Sequence, residues 1–402
     1  MRYADDMDWT ALFSEGVDVP APPEVFDSAC LPSHGGVWLL CDHQGNPIQL
    51  GGCENLRRSL GFRMDRADPE PTHRARADVR SITRRIWWWP TYSQFETAYD
   101  YLRIARRVYP DRYRERLGFG PSWFIRLDPG ARIPRFTVTE DVFGQEASYF
   151  GPFPGRTWCS RYIELLQDLF NLCRHPDILE KVPRGHRCAY YDMGKCSAPC
   201  DGTTSLDRYR GLVAYAVQFL RDGPEGFIAE AEQEMRRAAG TQEFERAAAT
   251  KRRIEQARKA IAGPYRYVRA VDQFRWLIVQ RAEGRSRVKP FFVRGGRIDR
   301  GESIALKNLQ DHVGGWFDTL RTAQLSGGAD GPRYQAEHVW MVSHFLFRSD
   351  KLPGVFLRED QLPDPAVFCD RVHRAFAPRS RAGGPSPSAI PKGEIEPQSE
   401  HG

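Results

Sequence analysis

Four cysteines within 28 residues constrain this chain more than any other feature. Cys173, Cys188, Cys196 and Cys200 are spaced Cys-x14-Cys-x7-Cys-x3-Cys. Four thiolates satisfy zinc tetrahedrally or hold an iron–sulfur cluster. Soft sulfur ligands suit both, so spacing alone does not choose the metal. Zinc sites more often use two tight cysteine pairs, and only one pair here is tight. Arg187, Lys195 and nearby basic residues are expected to lower the thiol pKa values and to offset cluster charge. The competing reading is four unrelated buried cysteines. A disulfide framework is disfavoured because the chain holds nine cysteines, an odd number.

The first sixteen residues, MRYADDMDWTALFSEG, are acidic and carry no apolar core of a secretory signal. No apolar run reaches the length of a membrane span. A cytoplasmic protein without a membrane partner is expected, and a reducing compartment again argues against disulfides. The 402 residues suggest two or three domains. A net charge of +6 fits a polyanion partner. The basic runs Arg74–Arg85, Arg103–Arg116 and Lys251–Lys259 read equally well as solvated helix faces.

Pattern places the elements. Residues 1–30 read as an extension with little pattern. Gly36–Cys41 and Ile48–Gly51 read as a strand hairpin about a turn at Gly45-Asn46, and a helix begins at Asn55. Residues 66–80 read as an Arg-rich loop. Ile86–Pro90 reads as a strand stopped by its proline. Ser93 is the expected N-cap of a helix reaching Val108. Trp123–Leu127 and Arg135–Val138 read as strands, Tyr149–Pro154 as a turn, and Trp158–Leu172 as a helix. Three helices follow, over about 206–221, 225–239 and 242–262, each stopped by glycine or proline. Strands return at Phe274–Val279 and Val288–Val293, then helices at about 302–325 and 334–347. The tail from Pro378 reads as disordered.

Within this layout, RCAYYDMGKCSAPCDG (187–202), YFGPFPG (149–155) and RYIELLQDLFNLC (161–173) resemble the cysteine region of the UvrC family, the incision subunits of bacterial nucleotide excision repair. The resemblance implies that Cys173, Cys188, Cys196 and Cys200 ligate a 4Fe–4S cluster, with zinc as the alternative. EFERAAATKRRIEQARK (243–259) resembles the UVR motif, which docks on a matching motif in UvrB. Phe244, Ala247, Ala248 and Ile254 would supply the apolar contact. Lys251 and Arg252 depart from the motif's usual Arg-Asp. The apolar residues Phe244, Ala247, Ala248, Ile254, Ala257 and Ile261 are expected to form one stripe of an αα-hairpin.

The N-terminal hairpin resembles the GIY-YIG nuclease fold. Gly36, Gly51, Asn55 and Glu96 match its positions, so the resemblance puts residual catalytic roles at Glu96 and Asn55. Trp38 and Gln49 stand where the two tyrosines belong, Gly52 replaces the lysine and Ser59 the arginine. Phosphodiester hydrolysis needs a divalent cation, activated water and a cation at the developing charge. Loss of four such groups implies no useful activity by the usual route.

The implied fold class is α+β: a small mixed GIY-YIG-like sheet with helices, a Cys-ligated metal segment, a helical UVR hairpin and a small α/β C-terminal region. The expected divisions are an extension (1–30), the GIY-YIG-like domain (31–115), linker strands with the cluster region (116–205), a helical region with the UVR motif (206–263), the C-terminal α/β region (264–377) and the tail (378–402). The resemblance covers residues 32–262. It lacks the second nuclease domain and paired helix-hairpin-helix module of the family, so a shortened relative is expected. The implied function is binding of DNA and a UvrB-like partner in excision repair, with an inactive nuclease site. The alternative is an active single-incision DNA endonuclease using Glu96 with magnesium or manganese.

Overall fold

The computed structural model describes residues 11–64, 79–142, 147–322, 332–348 and 354–377. The Arg-rich stretch over most of 66–80 and the tail from 378 lie outside these residues. The architecture is α+β, with three antiparallel sheets among the described residues.

The first sheet contains β1 (Glu15–Asp18), β2 (Gly35–Cys41), β3 (Pro47–Cys53) and β4 (Arg85–Thr91), in the order β1-β4-β2-β3. β2 is buried on both faces, which its nearly continuous apolar run requires. Alternation divides that run. Trp38 and Leu40 face Leu56 and Leu60 of α1 (Leu56–Met64), while Val37, Leu39 and Cys41 face the opposite core. The β2–β3 turn is held by Asp42, whose Oδ1 accepts the Gln44 and Asn46 N–H groups, and Gly45 takes φ +84°.

Two expectations change here. Residues 15–18 are an edge strand on β4, and Val19, Phe26 and Leu31 behind them pack under α1. These apolar residues are too scattered to show a period in the sequence. β4 also continues through Pro90 to Thr91. β1 ends opposite Trp88, so Pro90 sits where β4 has one neighbour and proline is tolerated. A short α2 (Val79–Ile82) leads into β4, and α3 (Gln94–Val108) follows it.

The second sheet contains β5 (Trp123–Leu127), β6 (Phe136–Thr139), β7 (Ser148–Phe153) and β8 (Arg269–Ala270), in the order β6-β5-β7-β8. The segment Tyr149–Pro154, expected as a turn, is mostly strand, because Phe150 and Phe153 must be buried. A Cβ on Gly151 would stand 2.6 Å from the Phe124 ring, so glycine lets β5 approach. Against this sheet pack α4 (Arg156–Phe170) and α7 (Leu206–Asp222), with short α5 (Pro176–Leu179) and α6 (Ala189–Asp192) between them in the chain. Then come α8 (Glu225–Gly240) and α9 (Phe244–Lys259), an antiparallel hairpin. β8 returns to β7 after the hairpin, so the chain crosses the expected boundary at 264 as part of this sheet.

The third sheet has the order β11-β10-β9-β13, with β12 also on β10. Its strands are β9 (Arg275–Arg281), β10 (Arg287–Arg294), β11 (Arg297–Arg300), β12 (Ile304–Ala305) and β13 (Val355–Arg358). The helix expected from 302 begins as α10 at Leu309 (to Thr322), because Ile304 and Ala305 pair with β10. α10 and α12 (Pro365–Phe376) cover one face of the sheet. α11 (Pro332–Phe347) covers the other, together with α3. A continuous core therefore runs from Val37 and Leu39 through Phe95 and Leu102 to Ile278, Phe291 and Val339. No helix of the described residues is long and apolar enough to cross a membrane.

Candidate functional site: a buried carboxylate pair and a cysteine cluster

α3 begins as its sequence dictates. The Ser93 Oγ accepts the Glu96 N–H at 3.1 Å. The Glu96 Oε2 reaches back to accept the Tyr92 N–H at 2.9 Å, one residue before the cap. This reciprocal arrangement resembles a capping box, and a carboxylate in the first turn also favours the helix dipole.

The other oxygen of Glu96 has a distant partner. Glu96 Oε1 accepts from Lys289 Nζ on β10 at 2.5 Å, with Arg300 Nη1 on β11 at 3.7 Å. Asp100, one turn further along α3, accepts from Arg300 Nη1 at 2.8 Å and from Arg103 Nε at 3.2 Å. Glu96 is 1% exposed and Asp100 fully buried. The guanidinium groups of Arg103 and Arg300 lie 4.9 Å and 5.9 Å from the Trp89 ring centre. Two carboxylates thus face three cations, two of them supplied by the third sheet.

The same helix carries a second cross-link. Glu337 of α11 is wholly buried and accepts from Arg106 (Nε 3.0 Å, Nη2 2.7 Å), Arg114 Nε (2.6 Å) and Tyr113 Oη (2.6 Å). Phe95 meets Phe291, Phe345 and Phe356 edge-on or tilted, at centroid distances of 5.1 to 5.8 Å.

The positions singled out around Glu96 are occupied in ways that hold their identities in place. Trp38 fills the space above Gly51, where a Cβ would lie 2.3 Å from its ring. A Cβ on Gly52 would lie 2.7 Å from Thr97 Cγ2. Thr97 is itself fixed by a 2.6 Å hydroxyl bond to Thr91. Gln49 accepts from Arg63 Nη1 at 3.5 Å, and the Arg63 guanidinium lies 4.9 Å from the Trp38 ring centre. Ser59 interacts with the Cys53 thiol. Asn55 caps α1 by accepting the Arg58 N–H at 2.9 Å. Arg57 donates to the Leu31 carbonyl at 2.7 Å.

A divalent cation at Glu96 does not fit this arrangement. Magnesium dehydrates reluctantly and keeps several waters. Here the carboxylate is almost sealed from solvent, and its oxygens are taken by an N–H and an ammonium.

Sequence reasoning missed Lys289, Arg300 and Glu337. One signal was present. In Val288-Lys289-Pro290-Phe291-Phe292-Val293, alternation puts Lys289 on the same face as Phe291 and Val293, and a lysine on an apolar face requires a carboxylate. His34 and Tyr92 were missed too. Their rings lie 5.4 Å apart, and the Tyr92 N–H binds Glu96. Burial, then Glu283 and Glu96, push the Tyr92 phenol pKa up.

The cysteine segment follows α4, which ends on Asn171 in the left-handed region. Cys173 and Cys196 lie within hydrogen-bonding reach of one another, and Cys200 is close enough to interact electrostatically with both. The bond from Cys173 holds the Cys196 thiol down at about 6. The Ala198 N–H, 3.4 Å away, and Arg174 act in the same direction, while the Cys173 thiol is pushed up. The cation acting on Cys196 is Arg174. Arg187 and Lys195, expected in that role, pair with Asp201 and Asp168. Cys200 donates to the His186 carbonyl at 3.5 Å, and Cys188 stands half-buried at the start of α6. Among the described residues, no three His, Cys, Asp or Glu side chains are grouped so as to hold a metal ion. Cys173 and Cys196 are in thiol contact, and the Ala198 N–H is turned toward the Cys196 sulfur.

The α8–α9 hairpin divides the expected apolar stripe. Ile254 is 4% exposed and packs with Ala257, Phe227 and Ala231 into the chain's own core. Phe244 is 68% exposed at the start of α9, Ala248 is exposed and Ala247 half-buried. The hairpin closes on α4 and α7, which turns Ile254 inward and leaves Phe244 and Ala248 outside.

The family described as UvrC/Cho excinuclease, middle domain, matches residues 122–219. UvrABC system protein C of Trichlorobacter lovleyi is 29% identical over 296 residues, 72% of this chain and 46% of the relative. That of Thermobifida fusca is 25% identical over 306 residues, 75% of this chain and 46% of the relative. That of Caldanaerobacter subterraneus subsp. tengcongensis is 25% identical over 286 residues, 70% and 45%. No solved structure matches significantly. The chain spans less than half the length of these relatives. The middle-domain match covers residues 122–219, and the similarity to UvrABC system protein C extends across roughly seven tenths of the chain.

Proposed function

We propose that this chain is a nucleotide excision repair protein that binds DNA and a UvrB-like partner through a nuclease-derived domain that does not cut. The observation that carries this reading is the state of Glu96. Its carboxylate is buried and bound to Lys289, with Arg300 nearby, instead of facing solvent. The residues at the other positions of the resemblance, Trp38, Gln49, Gly52 and Ser59, offer no phenol, lysine or arginine for the chemistry. Partner docking would use the exposed outer face of α9, where Phe244 and Ala248 lie one turn apart. Ile254 would support that face from inside. Cys173, Cys196 and Cys200, with Cys188, would hold a 4Fe–4S cluster that braces the segment between α4 and α7; zinc is the alternative. Nucleic-acid binding of this kind is salt-dependent.

The test is metal-dependent incision of a lesion-bearing duplex in the presence of loaded UvrB, beside a complete UvrC. We expect salt-sensitive binding without incision while the control cuts. Incision abolished by Glu96→Ala would overturn the reading. It would favour a single-cut endonuclease, for which Tyr92, bound to Glu96 through its N–H, and His34 against the Tyr92 ring supply the candidate proton-transfer groups. The docking surface is tested by Phe244→Glu, which should abolish co-purification with UvrB and leave the thermal transition unchanged.

A further inference from the structure

We infer that Lys289 is a tethered internal cation that occupies the metal position of the Glu96 site, turning a metal-binding carboxylate into a metal-excluding lock between the first and third sheets. This goes beyond the reading above and does not depend on DNA or partner binding.

The residues argue for it in sequence. Glu96 and Asp100 are four apart on α3, so both carboxylates project from one helix face. Two buried carboxylates on one face repel each other and lose hydration unless cations meet them. A metalloenzyme would supply a divalent ion from solution. Here β10 and β11 supply the cations covalently, from residues nearly two hundred positions away. Alternation along β10 directs Lys289 to the α3 side with Phe291 and Val293, whereas Val288 and Phe292 face α10. The Lys289 side chain is 15% exposed, and its Nζ lies 2.5 Å from Glu96 Oε1. Arg300 bridges Glu96 and Asp100 from β11. Among the described residues, Arg103 also pairs with Asp100, so the cations in direct contact already balance the two carboxylates that a divalent ion would need.

Apolar and ionic contacts on the same helix hold α3 against the third sheet and α11. Phe95, adjacent to Glu96, is fully buried against Phe291 and Phe345, and Glu337 clamps Arg106 on the same helix.

The experiment titrates Mn2+ into the full chain without DNA and follows the free-ion electron paramagnetic resonance signal. The wild type, Glu96→Gln, Lys289→Met and the Lys289→Met/Glu96→Gln double variant are compared, with circular dichroism to establish folding. Wild type and Glu96→Gln should bind Mn2+ identically. Lys289→Met should gain a site at least roughly tenfold tighter than any in the wild type, because it removes the competing unit charge beside the carboxylate. The double variant should lose that site. A Glu96→Gln-sensitive Mn2+ site in the wild type overturns the inference, as does a folded Lys289→Met protein with no gained site. If Lys289→Met does not fold, the comparison of wild type with Glu96→Gln decides alone.

Discussion

Replacing Glu337 with alanine should be among the most damaging single changes in this chain. The carboxylate is wholly buried and, among the described residues, accepts two hydrogen bonds from Arg106 and one each from Arg114 and Tyr113. The side chains of Arg106 and Arg114 are 11% and 28% exposed, so removing the acceptor leaves the Arg106 guanidinium largely out of water and Arg114 with Asp141 at 3.6 Å. Breaking a buried ion pair by deleting one partner costs about 3–5 kcal/mol. The upper half of that range applies to Glu337→Ala, because one carboxylate serves two arginines and a phenol. Glu337→Gln keeps the shape and one acceptor oxygen but loses the charge, and should cost about 1.5–3 kcal/mol. Urea unfolding followed by tryptophan fluorescence measures both. Trp340 lies on the same helix, with Arg114 stacked 4.8 Å from its ring centre, so the signal reports the affected interface. Amide exchange should rise along α11 and in the 113–116 turn. If Glu337→Ala unfolds within about 1 kcal/mol of wild type, the cross-link is not holding α11 to α3, and the reasoning from burial fails.

Three further outcomes follow from the same geometry. His338 is buried beside Arg106 and donates from Nδ1 to the Gly296 carbonyl; burial first, then Arg106, lowers its pKa from 6.5 to about 3. The unfolded chain therefore takes up a proton that the folded chain refuses between those values, so stability falls as pH drops below 6.5. The loss is about 1.4 kcal/mol per pH unit, or about 2 kcal/mol by pH 5, and His338→Asn should flatten that part of the profile. Gly52→Ala should cost about 1–3 kcal/mol through its clash with Thr97 Cγ2, and Thr97→Ser, which removes that methyl and keeps the hydroxyl bonded to Thr91, should recover most of the loss in urea titrations. Protein prepared anaerobically should contain iron and acid-labile sulfide, and Cys196→Ser should remove both; stoichiometric zinc without iron would refute the cluster.

Much of this protein was legible in its sequence because the signals were local. The buried run at Gly36–Cys41, the Ser93 cap, the glycine and proline stops around the three central helices and the cysteine spacing each depend on residues within a turn or a strand of one another. The α+β class and the position of Glu96 in the first turn of α3 follow from them. What no local pattern could give was the partner of each element. Residues 15–18 become a strand only because β4 offers an edge, and Tyr149–Phe153 becomes a strand because its phenylalanines find a core between β5 and α4. Ile254 and Phe244 share an apolar character, yet packing of the hairpin on α4 and α7 buries one and exposes the other. The decisive case is Glu96. Its sequence context marks a capping carboxylate and, by resemblance, a metal ligand. Whether it meets water and a metal or an ammonium depends on Lys289, which lies 193 residues away and is delivered by the alternation of β10. Local propensity sets which residues can form a helix or strand, but the charge that a buried carboxylate must find is set by whatever the folded chain brings within a few ångströms, and that is decided by tertiary structure alone.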